Sequence, residues 1–235
     1  MAADNPWLLK LAEFTRALAE RGGGRIPLHH TLMRGPSDMV SALTSHAQFC
    51  LGIYDSPSEV HALIDTCTSI WPIVYRAQQD HIGPFHGGYC NSYGVWAPGT
   101  CLLTQEDASA LISPDHYRQF LLPCDRRIFQ QADYPMIHLH SGSLYTVDLL
   151  LEEEELVGIQ VSLDFPSGPS IASLVPTFAK ILTRKPLVVS GPCKLEEFRL
   201  LVESLPPHGL LLLPRIEDGA EAQQAREWFR ARYGE

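Results

Sequence analysis

The sequence predicts an α/β protein of the (β/α)8 TIM-barrel type. Three observations carry this reading. Apolar runs of strand length alternate with segments of helical period along the chain. The later runs, LVGIQVSLD, KPLVVS and GLLLL, are apolar almost throughout, as strands covered by helices on both faces must be. The chain has 235 residues, enough for one large core without a disulfide or metal staple. About six βα units are legible, fewer than the eight that a closed barrel requires. The whole chain, residues 1–235, reads as one domain: an N-terminal helix within 1–24, then βα units over 25–235.

The elements follow in order. Asn5 caps the first helix, Pro6 fits its first position, and Gly22 to Gly24 end it. Ile26 to Met33 reads as the first strand, stopped at Arg34-Gly35-Pro36. Ser56-Pro57-Ser58-Glu59 is a capping box, and Val60, Leu63, Ile64, Cys67, Ile70, Trp71 and Val74 form the apolar stripe behind it. Gly87 to Val95 reads as a strand, followed by a turn at Pro98-Gly99. Ser113-Pro114 opens a helix whose stripe is Tyr117, Phe120, Leu121, Cys124 and Ile128. Tyr134 to His140 is the next strand and Leu144 to Leu151 a short helix. Strands at 156–164, 185–190 and 209–213 then alternate with helices at 170–184, 195–205 and 218–233. Pro176 should kink the first of these helices or mark a later start.

Composition excludes several classes. With 45% hydrophobic and 19% charged residues, disorder is excluded. No apolar run is long enough for a membrane-spanning helix. The opening MAADNPWLLKLAEF lacks the cationic lead of a signal peptide, so a cytoplasmic protein is expected. The net charge of −9 argues against nucleic acid and against anionic membrane as partners. Six cysteines without a C-x-x-C pair are expected to be reduced thiols. No G-x-G-x-x-G, Walker loop, G-x-S-x-G or H-E-x-x-H is present.

Ligands of parallel α/β folds meet the carboxyl ends of the strands. That rule selects His30 and Arg34, then Tyr89 and Asn91, then His138, His140 and Ser141, then Asp164, then Arg215. His30, Tyr89, His140 and Asp164 are expected to line one mouth. His138 and His140 alternate with Leu139 and so share a face of their strand. Two such imidazoles could relay protons, bind a metal or simply pack. A third ligand would come from Asp164 or Cys193, and no spacing selects either, so no metal and no cofactor are expected. Arg34 could grip a substrate carboxylate or pair with Asp38. Asp164 could be a catalytic acid or a loop cap. Cys193 could be a helix-start thiolate or a small buried thiol. The run Glu152 to Glu155 reads as a solvated face.

Several segments resemble the uroporphyrinogen decarboxylase superfamily: MRGPSDMVSAL, YDSPSEVHALID, GGYCNSYGVWAPG, TQEDASALISPDHYRQFLLPCDRRI and IHLHSGS. The strongest stretch runs from Glu106-Asp107 to Pro123 and includes the S-P-x-x-Y segment Ser113 to Tyr117. The superfamily holds haem-pathway decarboxylases and cobamide-dependent methyltransferases on a (β/α)8 barrel. The resemblance implies that about two βα units should precede Met33 to Pro36, which accounts for the short strand count. The decarboxylases' pyrrole-binding aspartate and arginine-rich motif belong to that earlier part. Their His-Gly near the last strand is Leu213-Pro214-Arg215-Ile216 here. The methyltransferases hold zinc through H-x-C-G and a later cysteine. Here the cysteine position is Ser141, and none falls near 213–216.

The resemblance implies a carboxy-lyase acting on tetrapyrrole carboxylates, with Asp164 and His140 as catalytic groups. Arg34, His30, Tyr89, Asn91, Ser141 and Arg215 would bind that small-molecule substrate. The alternatives are a corrinoid-dependent methyltransferase with an altered metal site, and a non-catalytic binding or oligomerisation module. Open sheet edges predict self-association or a partner chain.

Overall fold

A computed structural model describes residues 4–234. The chain divides within one strand into two compact units. One holds the chain up to Ile137 together with Glu153–Val157. The other holds His138–Glu152 and Gly158 onwards.

The first unit begins with α1 (Pro6–Gly22), where Asn5 accepts from the Trp7 and Leu8 N–H groups. Three more helices follow: α2 (Pro36–Leu43), α3 (His46–Asp55) and α4 (Pro57–Gln79). Neither α2 nor α3 was expected. The Gly35-Pro36 pair that reads as a strand stop is a helix start, with proline at the first position. The expected capping box at Ser56 does not form, because Ser56 makes no side-chain cap bond. Two short strands, β1 (Tyr89–Cys90) and β2 (Trp96–Ala97), pair antiparallel as a hairpin. The strand expected over Gly87 to Val95 is thus cut to two residues. Asn91 causes this: its side-chain oxygen accepts from the N–H groups of Tyr93 and Val95 and closes the turn. After β3 (Cys101–Gln105) and a 3-10 turn at Asp107–Leu111 comes α5 (Pro114–His116). Ser113 caps α5 by accepting from the His116 N–H. A π-helical turn, Tyr117–Leu121, then leads into α6 (Leu122–Phe129). Pro123 lies just inside α6, where its ring crowds the carbonyl four residues back.

Ile26 to Met33 forms no strand. The reason is a side chain in the ladder's place. The Leu103 N–H of β3 donates to His30 Nε2 at 3.2 Å, and His30 Nδ1 donates to the Thr31 carbonyl at 2.7 Å. Gln78 accepts from the Thr31 N–H at 2.8 Å. The arm is therefore pinned by side chains of other elements. It closes over a core of Met33, Trp71, Tyr75, Leu102 and Ile128.

β4 (Tyr134–His140) carries the chain from one unit to the other. The second unit continues with a 3-10 turn (Leu144–Thr146), α7 (Val147–Leu151), β5 (Gly158–Ser162), α8 (Ile171–Leu182), β6 (Leu187–Pro192), α9 (Leu195–Ser204), β7 (Leu210–Arg215) and α10 (Gly219–Tyr233). Ser170 and Asp218 cap α8 and α10, and Pro176 stays inside α8. Ile171, Leu174, Phe178 and Ile181 form the buried stripe of α8. β5 pairs parallel with β6, and β6 with β7.

The sheet is five-stranded in the order β3-β4-β5-β6-β7. It replaces the six strands expected: the runs near 28 and 90 drop out, and β3 enters. This is an α/β fold of partial barrel type, and its strand order has two ends.

Candidate functional site

Beyond the hydrogen-bonded ends of β4, β5 and β6 the ladder continues into loops. The Ser141 N–H donates to the Ser162 carbonyl, and the Leu163 N–H to the Ser190 carbonyl, both at 2.8 Å. These bonds hold the loop after β4 against the loop after β5. Asp164 results at the mouth, with three groups bonded to its carboxylate. His140 Nδ1 meets Oδ1 at 2.5 Å. Ser141 Oγ and the Gly142 N–H each donate to Oδ2 at 3.0 Å. In return the Asp164 N–H donates to Ser141 Oγ at 2.9 Å.

This cage needs Gly168. A Cβ there would lie 2.9 Å from Asp164 Cβ and 3.0 Å from Ser141 Oγ. Burial pushes the Asp164 carboxyl up, but the bonds from His140, Gly142 and Ser141 outweigh it and hold it below its usual range. Asp164 is thus a carboxylate near neutral pH. Its bond to His140 Nδ1 fixes the orientation of that ring. The His140 side chain is 43% exposed, enough for a ligand to reach it.

A second layer lies beneath. His138 shares the face of His140, as the alternation requires, and their rings stand edge to face at 4.9 Å. His138 Nδ1 bonds the Gln160 side-chain oxygen. The Gln160 amide donates to Ser190 Oγ at 2.9 Å and to Ser162 Oγ at 3.3 Å. This polar row crosses β4, β5 and β6 in a place where apolar packing is the rule. The sequence signal was a glutamine within the apolar run LVGIQVSLD. A fully buried amide must be satisfied by neighbours, and that requirement marks it.

Of the residues selected from sequence, the structure brings together His140, Ser141 and Asp164. His30, Arg34, Tyr89 and Asn91 belong to the first unit and Arg215 to the second. The His30 ring is occupied at both nitrogens by backbone, and burial drives its pKa down to about 4. Asn91 spends its amide on the hairpin turn and on Met136 Sδ, and Tyr89 is half-buried in β1. Arg34 is exposed, and Asp38 bonds Gln105 and the Ala108 N–H instead of Arg34. Arg215 ends β7 and lines a groove between β7 and α10.

Cys193 is a buried thiol, and burial pushes its pKa up to about 12, with Glu197, Glu196 and Glu221 adding to the effect. The thiolate reading is overturned by that burial. All six cysteines are free thiols. Glu153, expected on a solvated face, is buried against Arg126, which meets it through two nitrogens at 2.5 and 2.7 Å.

The first unit holds carboxyls that sequence reasoning did not single out as chemistry. Glu106 Oε2 accepts the Ser37 N–H at 2.8 Å in the first turn of α2. Asp38 Oδ1 accepts the Ala108 N–H at 2.8 Å in the 3-10 turn after β3. Each segment therefore caps the other. Gly35 makes the approach possible, since a Cβ there would lie 1.8 Å from the Gln105 carbonyl oxygen. Behind them Asp125 accepts from the Tyr117 hydroxyl, while Asp125 Oδ1 and Glu106 Oε1 are buried without a hydrogen-bond partner. Burial, above all, raises Asp125 to about 7 and Glu106 well beyond the carboxylate range, and their mutual repulsion raises Glu106 further. Burial thus favours the protonated form of Glu106.

No family model and no curated protein matches the chain. Among solved structures, it is similar to a methyltransferase from Methanosarcina mazei, with a TM-score of 0.64 and 18% identity. The alignment covers 95% of this chain and 64% of that one. The likeness is one of fold. No helix among the described residues is long and apolar enough to cross a membrane.

Proposed function

We propose that the chain is a methyl-transfer domain of the uroporphyrinogen decarboxylase type, in which His140 accepts the proton of the methyl acceptor. The observation that carries this reading is the 2.5 Å bond from His140 Nδ1 to Asp164 at the carboxyl ends of the strands. The methyltransferase among the solved structures of like fold supports it over the decarboxylase reading, which has no observation of its own.

A thiolate-held zinc, which the methyltransferase resemblance implies, does not fit these residues. Ser141 stands at the cysteine position, and its hydroxyl is bonded to Asp164 on both its donor and acceptor sides. The one cysteine that follows Ser141 in sequence, Cys193, is buried, and burial pushes its thiol pKa up. A serine hydroxyl is a poor zinc ligand beside a thiolate. No step is therefore routed through that metal.

The chain's own groups suffice for the proton. An acceptor bearing an ionisable S–H or O–H meets His140 Nε2. The proton passes to Nε2 as the heteroatom's electron pair forms its bond to the methyl carbon. The bond from methyl to donor breaks, and the donor leaves with that pair. Asp164 stabilises the imidazolium that results and fixes its ring orientation. Ser141 and Gly142 keep Asp164 ionised for this.

The test uses methylcobalamin as donor and a small thiol as acceptor, following loss of the methylcobalamin absorbance. His140→Ala should lower the rate about 100-fold. Asp164→Asn should lower it less and shift the pH profile. A wild-type chain that transfers no methyl but releases carbon dioxide from uroporphyrinogen would restore the decarboxylase reading.

A further inference from the structure

A helix packed on a sheet buries a stripe, as α8 does with Ile171, Leu174, Phe178 and Ile181. α10 does not. Of its 15 residues only Ala225 is buried, while Phe229 is 40% exposed and Tyr233 52%. Between α10, α9 and β7 lies a groove of about 810 Å³, a volume suited to a small molecule. It is lined along β7 from Leu210 to Arg215 and along α10 from Ala222 to Tyr233. At strand and helix rise each of these spans is about 17 Å, so the groove is elongated. Phe198 and Val202 of α9 add to its apolar wall.

The charged residues of the lining are all of one sign. Arg215, Arg226 and Arg230 line the groove, and no acid does. Arg226 and Arg230 stand four residues apart, on one face of α10. None of the ion pairs among the described residues involves any of the three. The acids of α9 and α10 are engaged elsewhere. Glu197 accepts the Lys194 N–H at 2.8 Å, and Glu227 accepts from the Gln223 amide at 2.8 Å. Glu203 meets Arg232 at 3.9 Å, while Glu196 and Glu221 bear on the Cys193 thiol. In a chain of net charge −9, this groove is therefore a local positive site.

We propose that the groove binds a free single-chain amphipathic anion, of the alkyl carboxylate class. The carboxylate sits between Arg226 and Arg230, and the apolar chain lies along β7 against Leu210, Leu212, Phe198 and Phe229. Like charges one turn apart destabilise a helix, and a carboxylate between them removes that repulsion. Guanidinium forks also match a carboxylate bidentately. The elongated apolar wall selects a chain over a compact anion, which would leave that wall in water. The chain covers Phe229 and supplies the contact that α10 lacks. None of His140, Ser141 and Asp164 lines the groove, so the site is separate from the Asp164 cage and stands independently of methyl transfer.

Calorimetry on the full chain with decanoate, decyltrimethylammonium and decanol tests the proposal. Decanoate should bind one per chain, and tighter than the other two. Arg226→Gln with Arg230→Gln should weaken decanoate about tenfold and leave decanol unchanged. Both arginines are exposed, so circular dichroism should not change. Phe229→Asp sets a carboxylate in the groove and should abolish decanoate binding. No binding at about 1 mM decanoate overturns the proposal. So does equal binding of the cationic chain, or an arginine variant that holds decanoate as tightly as the wild type. Binding to phosphatidylglycerol vesicles without binding of free decanoate also overturns it, since the groove would then meet a membrane surface and not a free chain.

Discussion

Asp125 and Asp164 are both carboxyls in folded surroundings, yet their environments drive them in opposite directions. Asp164 accepts three hydrogen bonds and stays ionised. Asp125 is fully buried beside a second acid, and burial raises it to about 7. The sign for stability follows from linkage. A carboxyl whose folded pKa lies above the unfolded value binds more protons when folded, so stability falls as pH rises from about 4 through 7. Asp125→Asn keeps an acceptor for Tyr117 and offers Glu106 a donor without a charge. The urea midpoint of the variant relative to wild type should therefore rise between pH 5 and pH 8. A constant difference would show that the pair carries no such proton. His30 acts with the opposite sign below its ordinary pKa, which is why the comparison is made against the variant and not on the wild type alone.

Two Ser-Pro helix starts look alike in sequence and behave differently. Ser113 accepts from the His116 N–H and caps α5, whereas Ser56 makes no such bond, its backbone lying at φ −146° and ψ 56°. Ser113→Ala should cost about 1 kcal/mol in chemical denaturation, and Ser56→Ala a few tenths at most. Equal costs would contradict the difference in geometry. The helix after Ser113 is also unusual in passing through a π-turn, and this turn aligns Tyr117 with Asp125 eight residues on. A regular α-helix would carry those two side chains about 80° apart around its axis.

The chain leaves the first unit in β4, returns for Glu153–Val157 and leaves again. The return is fixed by Arg126, whose two bonds reach the buried Glu153, and by the Val157 N–H donating to the Pro135 carbonyl at 2.9 Å. Arg126→Met removes the cation that bonds the buried Glu153 through two nitrogens. It should lower stability by about 1–3 kcal/mol, read from the urea midpoint. Glu153→Gln with Arg126→Met should recover part of that loss, because a neutral amide is less costly to bury there than a carboxylate. A double variant no better than the single would mean that packing of the arginine stem, and not charge, is what matters.

How much was legible follows from the range of the forces involved. Helix ends and buried parallel strands are set by residues a few positions apart. Asn5, Ser170 and Asp218 therefore marked helix starts correctly, and the runs of β5, β6 and β7 stood out as apolar. The pairing of His140 with Asp164 was half legible: strand alternation put both histidines on one face, but no spacing selected the carboxylate. Its choice depends on the loops after β4 and β5 meeting, 24 residues apart. The arm at 26–33 has strand-like composition, yet the ring of His30 takes the N–H of Leu103, 73 residues away. The Glu106–Asp125 pair likewise needs α2, the turn after β3 and α6 to converge. Local chemistry thus fixed which elements form, because caps and periodicity act within one or two turns. Only the tertiary structure decided which side chains meet, because a buried polar group bonds whatever packing places beside it.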